Sequence, residues 1–157
     1  MKKLTMVLAI CTLSTLFIGS AYAQTATQSF HLAVNSIYKI ATVGAVPDLT
    51  IITAVPGSDP TPVTDNTTTY SITHNNKLNG AKITAGMVPA LASGYVLKIN
   101  LDSQGDKDIS TATQDVVANV AAGAYNGKTI AYTFSALATA GPLSSVNEVV
   151  TLTVVGL

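Results

Sequence analysis

The sequence predicts an all-β protein, an antiparallel immunoglobulin-like β-sandwich of about seven or eight strands preceded by a signal-peptide helix. Helical periodicity is weak after residue 23, whereas apolar and polar residues alternate with a period of two in many short stretches. Turn signals rich in Gly, Pro and Asn separate these stretches at intervals of roughly 10 to 20 residues. Because alternation gives each strand one apolar face, the pattern indicates two sheets packed face to face.

Residues 1–23 are predicted to be a cleaved secretory signal peptide, and residues 24–157 a single β-sandwich domain. Two lysines precede an apolar run that ends at Ile18, and Ala21 and Ala23 supply the small residues that a signal peptidase requires. The apolar run is shorter than the roughly 20 residues of a membrane-spanning helix. We therefore expect export with no membrane span after cleavage; the alternative is an uncleaved anchor helix.

The composition of the predicted domain narrows the function classes. Cys11 follows Ile10 inside the apolar run, which argues against a lipid-modified cysteine and leaves the exported chain without disulfides, thiol catalysis or thiolate metal sites. From residue 24 onward there are six lysines, no arginine, seven aspartates and one glutamate, a formal net charge of −2. Nucleic acid is not expected as a partner, because affinity for phosphate needs clustered Lys and Arg. So few charges repel weakly, which favours dense packing of copies against one another.

The predicted strands lie between turns that the sequence marks clearly. Val55–Pro62 holds three prolines and a glycine, which forbid regular pairing, and Asn79-Gly80 and Asn126-Gly127 supply the positive φ angles of tight turns. Residues 114–120 are predicted to form a strand or a short helical turn. The other predicted strands cover residues 38–43, 49–51, 67–73, 82–85, 95–101, 128–136 and 146–155.

Three aspartates crowd one predicted loop and form a candidate calcium site. Asp102, Asp106 and Asp108 lie around Gly105, and calcium prefers oxygen ligands of this kind. Their spacing is not that of an EF-hand, and Lys107 lies among them. The alternative, a solvated hairpin loop, is favoured. No cofactor is predicted.

No catalytic constellation stands out, and the protein is predicted not to be an enzyme. The two histidines, His31 and His74, are far apart in sequence, whereas metal sites use clusters at short spacing. The chain also lacks a G-x-S-x-G nucleophile elbow, so a Ser/His hydrolase has no positive support.

The N-terminal stretch Gln24–Asn35 begins polar and then alternates, with Phe30, Leu32 and Val34 on one face. Such a strand either pairs within its own domain or inserts into the open sheet of a neighbouring copy. The first use is the commoner one. The second, donor-strand complementation, builds fibres because each subunit supplies the strand that the next one lacks.

Two stretches and the overall composition resemble those of a known class of surface protein. The stretches are Thr69–Asn75 and Val149–Val154, and the composition combines a short signal, low charge and abundant Ala, Thr and Val. The chain resembles secreted bacterial fimbrial subunits, and among them the cysteine-free colonisation-factor type of pilin. The disulfide-bonded pilins carry a Tyr near the C-terminus, whereas this chain ends Val155-Gly156-Leu157. The resemblance implies assembly into a fibre through a periplasmic chaperone and an outer-membrane usher.

The leading functional hypothesis is a non-enzymatic structural or adhesive subunit of the cell surface, which polymerises by N-terminal strand exchange. Its expected partners are copies of itself or another surface subunit. The alternative is a monomeric secreted or periplasmic binding module for a glycan or an envelope protein. In that case the loops Val55–Pro62 and Asp102–Asp108 are expected to carry the contacts. Both hypotheses place the protein outside the cytoplasm, at the cell surface, in the medium or in the periplasm.

Overall fold

The computed structural model describes residues 24–45 and 47–157, so the predicted signal peptide lies outside the described residues. The chain divides into two compact units, residues 1–34 and residues 35–157. All described strands lie in the second unit, where two antiparallel sheets pack as a sandwich. The predicted all-β sandwich is thus confirmed.

Within residues 24–45 and 47–157, eight strands make up the two sheets, and a single turn of 3-10 helix, Ala138–Ala140, follows the seventh. Among the described residues, none forms a helix with the length and apolarity that crossing a membrane requires. The strands are β1 Tyr38–Val43, β2 Val63–His74, β3 Ala81–Val88, β4 Tyr95–Leu101, β5 Lys107–Ile109, β6 Gln114–Val120, β7 Gly123–Ala136 and β8 Val149–Gly156.

The strand order matches that of an immunoglobulin-like sandwich in six strands, while β5 and β6 extend the far edges of the two sheets. The first sheet runs β1-β2-β7-β4-β5 and the second β6-β3-β8. In the constant-type immunoglobulin order, sheet ABED packs on sheet CFG. Strands β1, β2, β7 and β4 take the places of A, B, E and D, and β3 and β8 take those of C and F. Among the described residues, no strand takes the place of G beside β8.

The core lies between the sheets because each strand turns alternate residues inward, as a period of two requires. Strand β4 buries Leu97, Ile99 and Leu101 and leaves Lys98 and Asn100 at the surface side. Burying one such side chain away from water contributes about 1.5–3 kcal/mol to the stability of the fold. The buried apolar cluster comprises Tyr70, Ile72, Ile83, Ala85, Met87, Leu97, Ile99, Leu101, Ile109, Val116, Val117, Ile130 and Tyr132.

Two of the predicted elements are wrong. Residues 49–51 form no strand, and Pro47, which has no N–H to donate to a ladder, lies two residues before them. Asn126-Gly127 is not a hairpin turn but lies inside β7, opposite a register shift in β2 between Tyr70 and Ile72. The positive φ of Gly127, 63°, belongs to this bulge.

Other local predictions are confirmed. Asn79-Gly80 does lie in a turn, where the Gly80 N–H donates to the Asn76 carbonyl at 3.2 Å and Gly80 has a φ of 76°. Residues 114–120 form a strand, which removes the helical alternative. The proline-rich stretch Val55–Pro62 is a loop that carries only an isolated bridge between Ala54 and Pro60.

Candidate functional site

The N-terminal segment, residues 24–34, forms neither helix nor strand. The side chains of Phe30, Leu32 and Val34 are 71%, 88% and 82% exposed. The expectation of an ordinary first strand over these residues is therefore not met. Three large apolar side chains at alternate positions are left in water, although burying each would contribute about 1.5–3 kcal/mol.

The outer edges of β1 and β8 lie side by side at one end and part at the other. At the first end, a Cβ placed on Gly156 would lie 2.5 Å from the Tyr38 hydroxyl, so the two strands approach closely there. At the other end, a cleft of about 350 Å³ opens beside Val43 and Val150. Its walls include the core residues Leu97 and Tyr132. The cleft therefore exposes part of the apolar interior between two sheet edges.

The end of β1 explains why the cleft opens there. Gly44 has a φ of 142°, and a Cβ at this position would approach Thr68 Cα to 2.9 Å. Glycine thus lets the chain leave the sheet close against β2. Pro47, which has no N–H to donate to a ladder, and Leu49, which packs against the core, follow along the cleft wall.

One polar group lines the cleft without a partner. Glu148 directly precedes β8, and its Oε2 atom is buried without a hydrogen bond to any described residue. A buried polar group without a partner costs about 1–3 kcal/mol, and more when it is charged. Native structures hold few such groups, so each one calls for an explanation.

His74 is the other buried group without partners, since both of its ring nitrogens lack a hydrogen bond within the described part of the chain. Its ring stacks on Tyr38 with centroids 6.1 Å apart and planes 6° apart. The residue continues the inward face of β2, after Thr68, Tyr70 and Ile72. The stacking indicates a core-packing role at the closed end of the β1–β8 pair.

The three loop aspartates each face a different group. Asp102 pairs with Lys128 at 2.7 Å, and Asp108 lies 3.9 Å from Lys98. Asp106 accepts a hydrogen bond from the Asn100 amide at 2.9 Å. Over residues 24–45 and 47–157, no three acidic, histidine or cysteine side chains gather as metal ligands would. The structure therefore does not bring this calcium candidate together.

Asp102 instead contributes to a small pocket of about 190 Å³ with two tyrosines. Lys128 lies 6.0 Å from the centre of the Tyr125 ring, and its hydrogen bond and charge interaction with Asp102 raise the pKa of the ammonium. Burial, and then the Asp102 charge, raise the pKa of the Tyr70 phenol at the pocket wall. The pocket thus combines aromatic surface with a neutralised ion pair.

Comparison with known proteins adds no further assignment. No protein-family model, curated protein or solved structure matches the chain. A functional assignment therefore depends on the geometry of the cleft, the pocket and the N-terminal segment.

The alternation of Phe30, Leu32 and Val34 is visible in the sequence, whereas the residues that line the cleft follow no comparable pattern. Glu148 does carry a signal, since it is the one glutamate in the chain and directly precedes an apolar strand. Tyr125 carries no such signal, because Asn126-Gly127 directly after it is typical of a turn.

Proposed function

We propose that the protein is a non-enzymatic structural subunit of a cell-surface assembly, in which residues 24–34 of one copy enter the β1–β8 cleft of the next. The observation that supports this most strongly is the vacancy beside β8 in a chain that also carries an unused alternating segment. One feature is a sheet edge that lacks a strand, and the other is a strand-like sequence without a sheet. Each copy holds both, so the exchange can continue from copy to copy.

Strand addition accounts for the chemistry of the cleft. The edges of β1 and β8 present main-chain N–H and C=O groups, which template pairing with another chain. In strand addition, main-chain hydrogen bonds provide affinity, and pockets for alternate side chains provide specificity. Leu97, Tyr132 and Val150 offer apolar contacts inside the cleft. These contacts suit a strand that presents Phe30, Leu32 and Val34 on one face.

The composition supports assembly outside the cell. A predicted signal peptide provides export, and a net charge of only −2 after residue 23 leaves little repulsion between copies. Attachment to the cell, or adhesion to another surface, then follows from the assembly and from partner subunits.

The test uses the exported full chain and a pair of matched variants. Phe30→Asp with Leu32→Asp places charges on the apolar face of the segment, whereas His31→Asp places a charge on the opposite face. Light scattering coupled to size-exclusion chromatography should show oligomers for the wild type and for His31→Asp, and a monomer for the double variant. A wild-type monomer at every concentration, or a double variant that still assembles, would contradict the proposal.

A second candidate function is supported by the pocket beside Asp102. Sugar hydroxyls both donate and accept hydrogen bonds, which suits the Asp102 carboxylate and the Asn119 amide, while Tyr125 offers an aromatic surface for the apolar face of a sugar ring. A monomeric glycan-binding module would show NMR shifts at this pocket with a panel of methyl glycosides. Tyr125→Ala would remove these shifts, while Leu78→Ala, at an exposed turn, would leave them unchanged.

A further inference from the structure

We propose that Glu148 is the polar recognition point of the cleft, where its carboxylate accepts a hydrogen bond from a main-chain N–H of the incoming strand. The inference rests on the proposed strand exchange and names the residue that positions the strand. It also assigns a purpose to a buried oxygen that otherwise has no partner among the described residues.

The position of Glu148 directs its side chain toward the strand that would enter. In extended chain, residues two apart share a face, so Glu148 lies on the same side as Val150. Val150 packs against the core, and both residues line the cleft. The other edge of β8 is already used, since Val149 to Gly156 pair with β3. The second edge of β8 has no partner strand among the described residues, and the Glu148 side chain lines the cleft that opens beside this edge.

The chemistry of the carboxylate calls for a donor that the described chain does not supply. An ionised carboxylate only accepts hydrogen bonds. The ion pairs within the described residues join Lys82 to Asp115, Lys98 to Asp108 and Lys128 to Asp102, and none involves Glu148. An orphan acceptor at a sheet edge is complementary to the N–H groups that an extended strand presents along its edge.

The composition of the N-terminal segment limits which hydrogen-bond donors it can bring to Glu148. Residues 24–35 contain neither Lys nor Arg, and their one titratable side chain is His31. His31 alternates with Phe30 and Leu32, so it points away from the cleft when those two point into it. The donors that the segment can bring to the cleft are then uncharged: its main-chain N–H groups, which recur along the edge of the strand, and the amide of Gln28, which shares the face of Phe30. A hydrogen bond to a charged acceptor is stronger than a neutral one.

This role has opposite consequences for the separate subunit and for the assembly. In the separate subunit the buried oxygen has no partner among the described residues and destabilises the fold. In the assembly the same oxygen gains a donor. Glu148→Ala should therefore leave the separate subunit as stable as before, or more stable, while it weakens strand exchange. A side chain with only a packing role would change both quantities in the same direction.

The experiment measures both quantities on the full chain. Stability is measured by urea unfolding in the donor-blocked chain, which carries Phe30→Asp and Leu32→Asp and stays monomeric. Assembly is measured by light scattering in the otherwise unchanged chain. Glu148→Ala should weaken assembly by about tenfold or more, the change expected when a hydrogen bond to a charged group is lost. Its urea midpoint should stay the same or rise.

Two further variants distinguish a specific effect of the Glu148 carboxylate on assembly from a general effect of the net charge. Glu148→Gln retains an acceptor oxygen without the charge and should weaken assembly less than Glu148→Ala does. Asp108→Ala removes a carboxylate whose side chain is 71% exposed and that does not line the cleft, so assembly should be unchanged. An equal loss with Asp108→Ala would overturn the inference, because net charge would then be the cause.

The outcomes distinguish this inference from the proposed function. Normal assembly of Glu148→Ala, with assembly abolished in the donor-blocked chain, would overturn the role of Glu148 and leave strand exchange in place. A parallel loss of stability and assembly would assign Glu148 to packing alone. Absence of assembly in the wild type would overturn the proposed function and this inference together.

Discussion

Two segments of this chain share one sequence pattern and have opposite environments. Leu97, Ile99 and Leu101 alternate along β4 and are 7%, 1% and 1% exposed. Phe30, Leu32 and Val34 alternate in the same way and are 71%, 88% and 82% exposed. Alternation therefore gives a segment one apolar face that can be buried. Whether that face is buried depends on which sheet edge is available to pair with the segment.

The largest expected effect is a difference in the free energy of unfolding between variants of the two segments. Ile99→Ala removes a fully buried side chain from β4 and should lower the free energy of unfolding by about 2–5 kcal/mol. Leu32→Ala removes an exposed one and should change it by no more than about 0.5 kcal/mol. Urea unfolding at a concentration where the chain is monomeric measures both. Similar losses for the two variants would show that Leu32 is buried in its own subunit.

A smaller effect is expected on the stability of the fold at alkaline pH, and it tests how deeply two core tyrosines are buried. Burial raises the pKa of Tyr132, which lines the cleft, and burial with the Asp102 charge raises that of Tyr70. The unfolded chain then loses these protons at lower pH than the folded chain does. The stability that they contribute is fully present below the ordinary tyrosine pKa of about 10 and is lost as the pH rises through the higher folded values.

Urea midpoints measured from neutral pH to above about pH 10 test this expectation. The midpoint should fall at the alkaline end, and Tyr132→Phe should make the fall shallower because phenylalanine cannot ionise. An identical alkaline fall in the variant would mean that the Tyr132 phenol is solvated. Filling of the cleft by a strand would bury this phenol further and move the fall to higher pH.

The sequence predicted the interior of the fold better than its connections. Residues 95–101 were assigned correctly because the alternation is uninterrupted and Gly94 directly precedes it. The bulge at Asn126-Gly127 has the same residues as a hairpin turn, so local chemistry could not distinguish them. Only the pairing of β7 with β2 over a long stretch decides in favour of a bulge.

Of the two parts of the candidate site, the donated segment was predictable from the sequence and the cleft that receives it was not. The alternation of Phe30, Leu32 and Val34 identified the segment that would be donated. The cleft was not predictable, because it depends on the order of the strands and on the place where β1 ends at Gly44. Glu148 Oε2 has no hydrogen-bond partner in the part of the chain that the structure describes, and this depends on its surroundings in space, which neighbours in sequence do not determine.

Disulfide trapping tests the central claim most directly, with Cys11→Ser in every chain so that the introduced cysteines are the only ones. A chain with Leu32→Cys is mixed with a chain carrying Val150→Cys, or with a control chain carrying Leu78→Cys at an exposed turn. Strand exchange predicts a disulfide-linked heterodimer with Val150→Cys and little with Leu78→Cys, since the bond requires Cβ atoms about 3.5–4.5 Å apart. Equal linkage to both positions, or linkage only within one chain when Leu32→Cys and Val150→Cys are combined, would contradict the account.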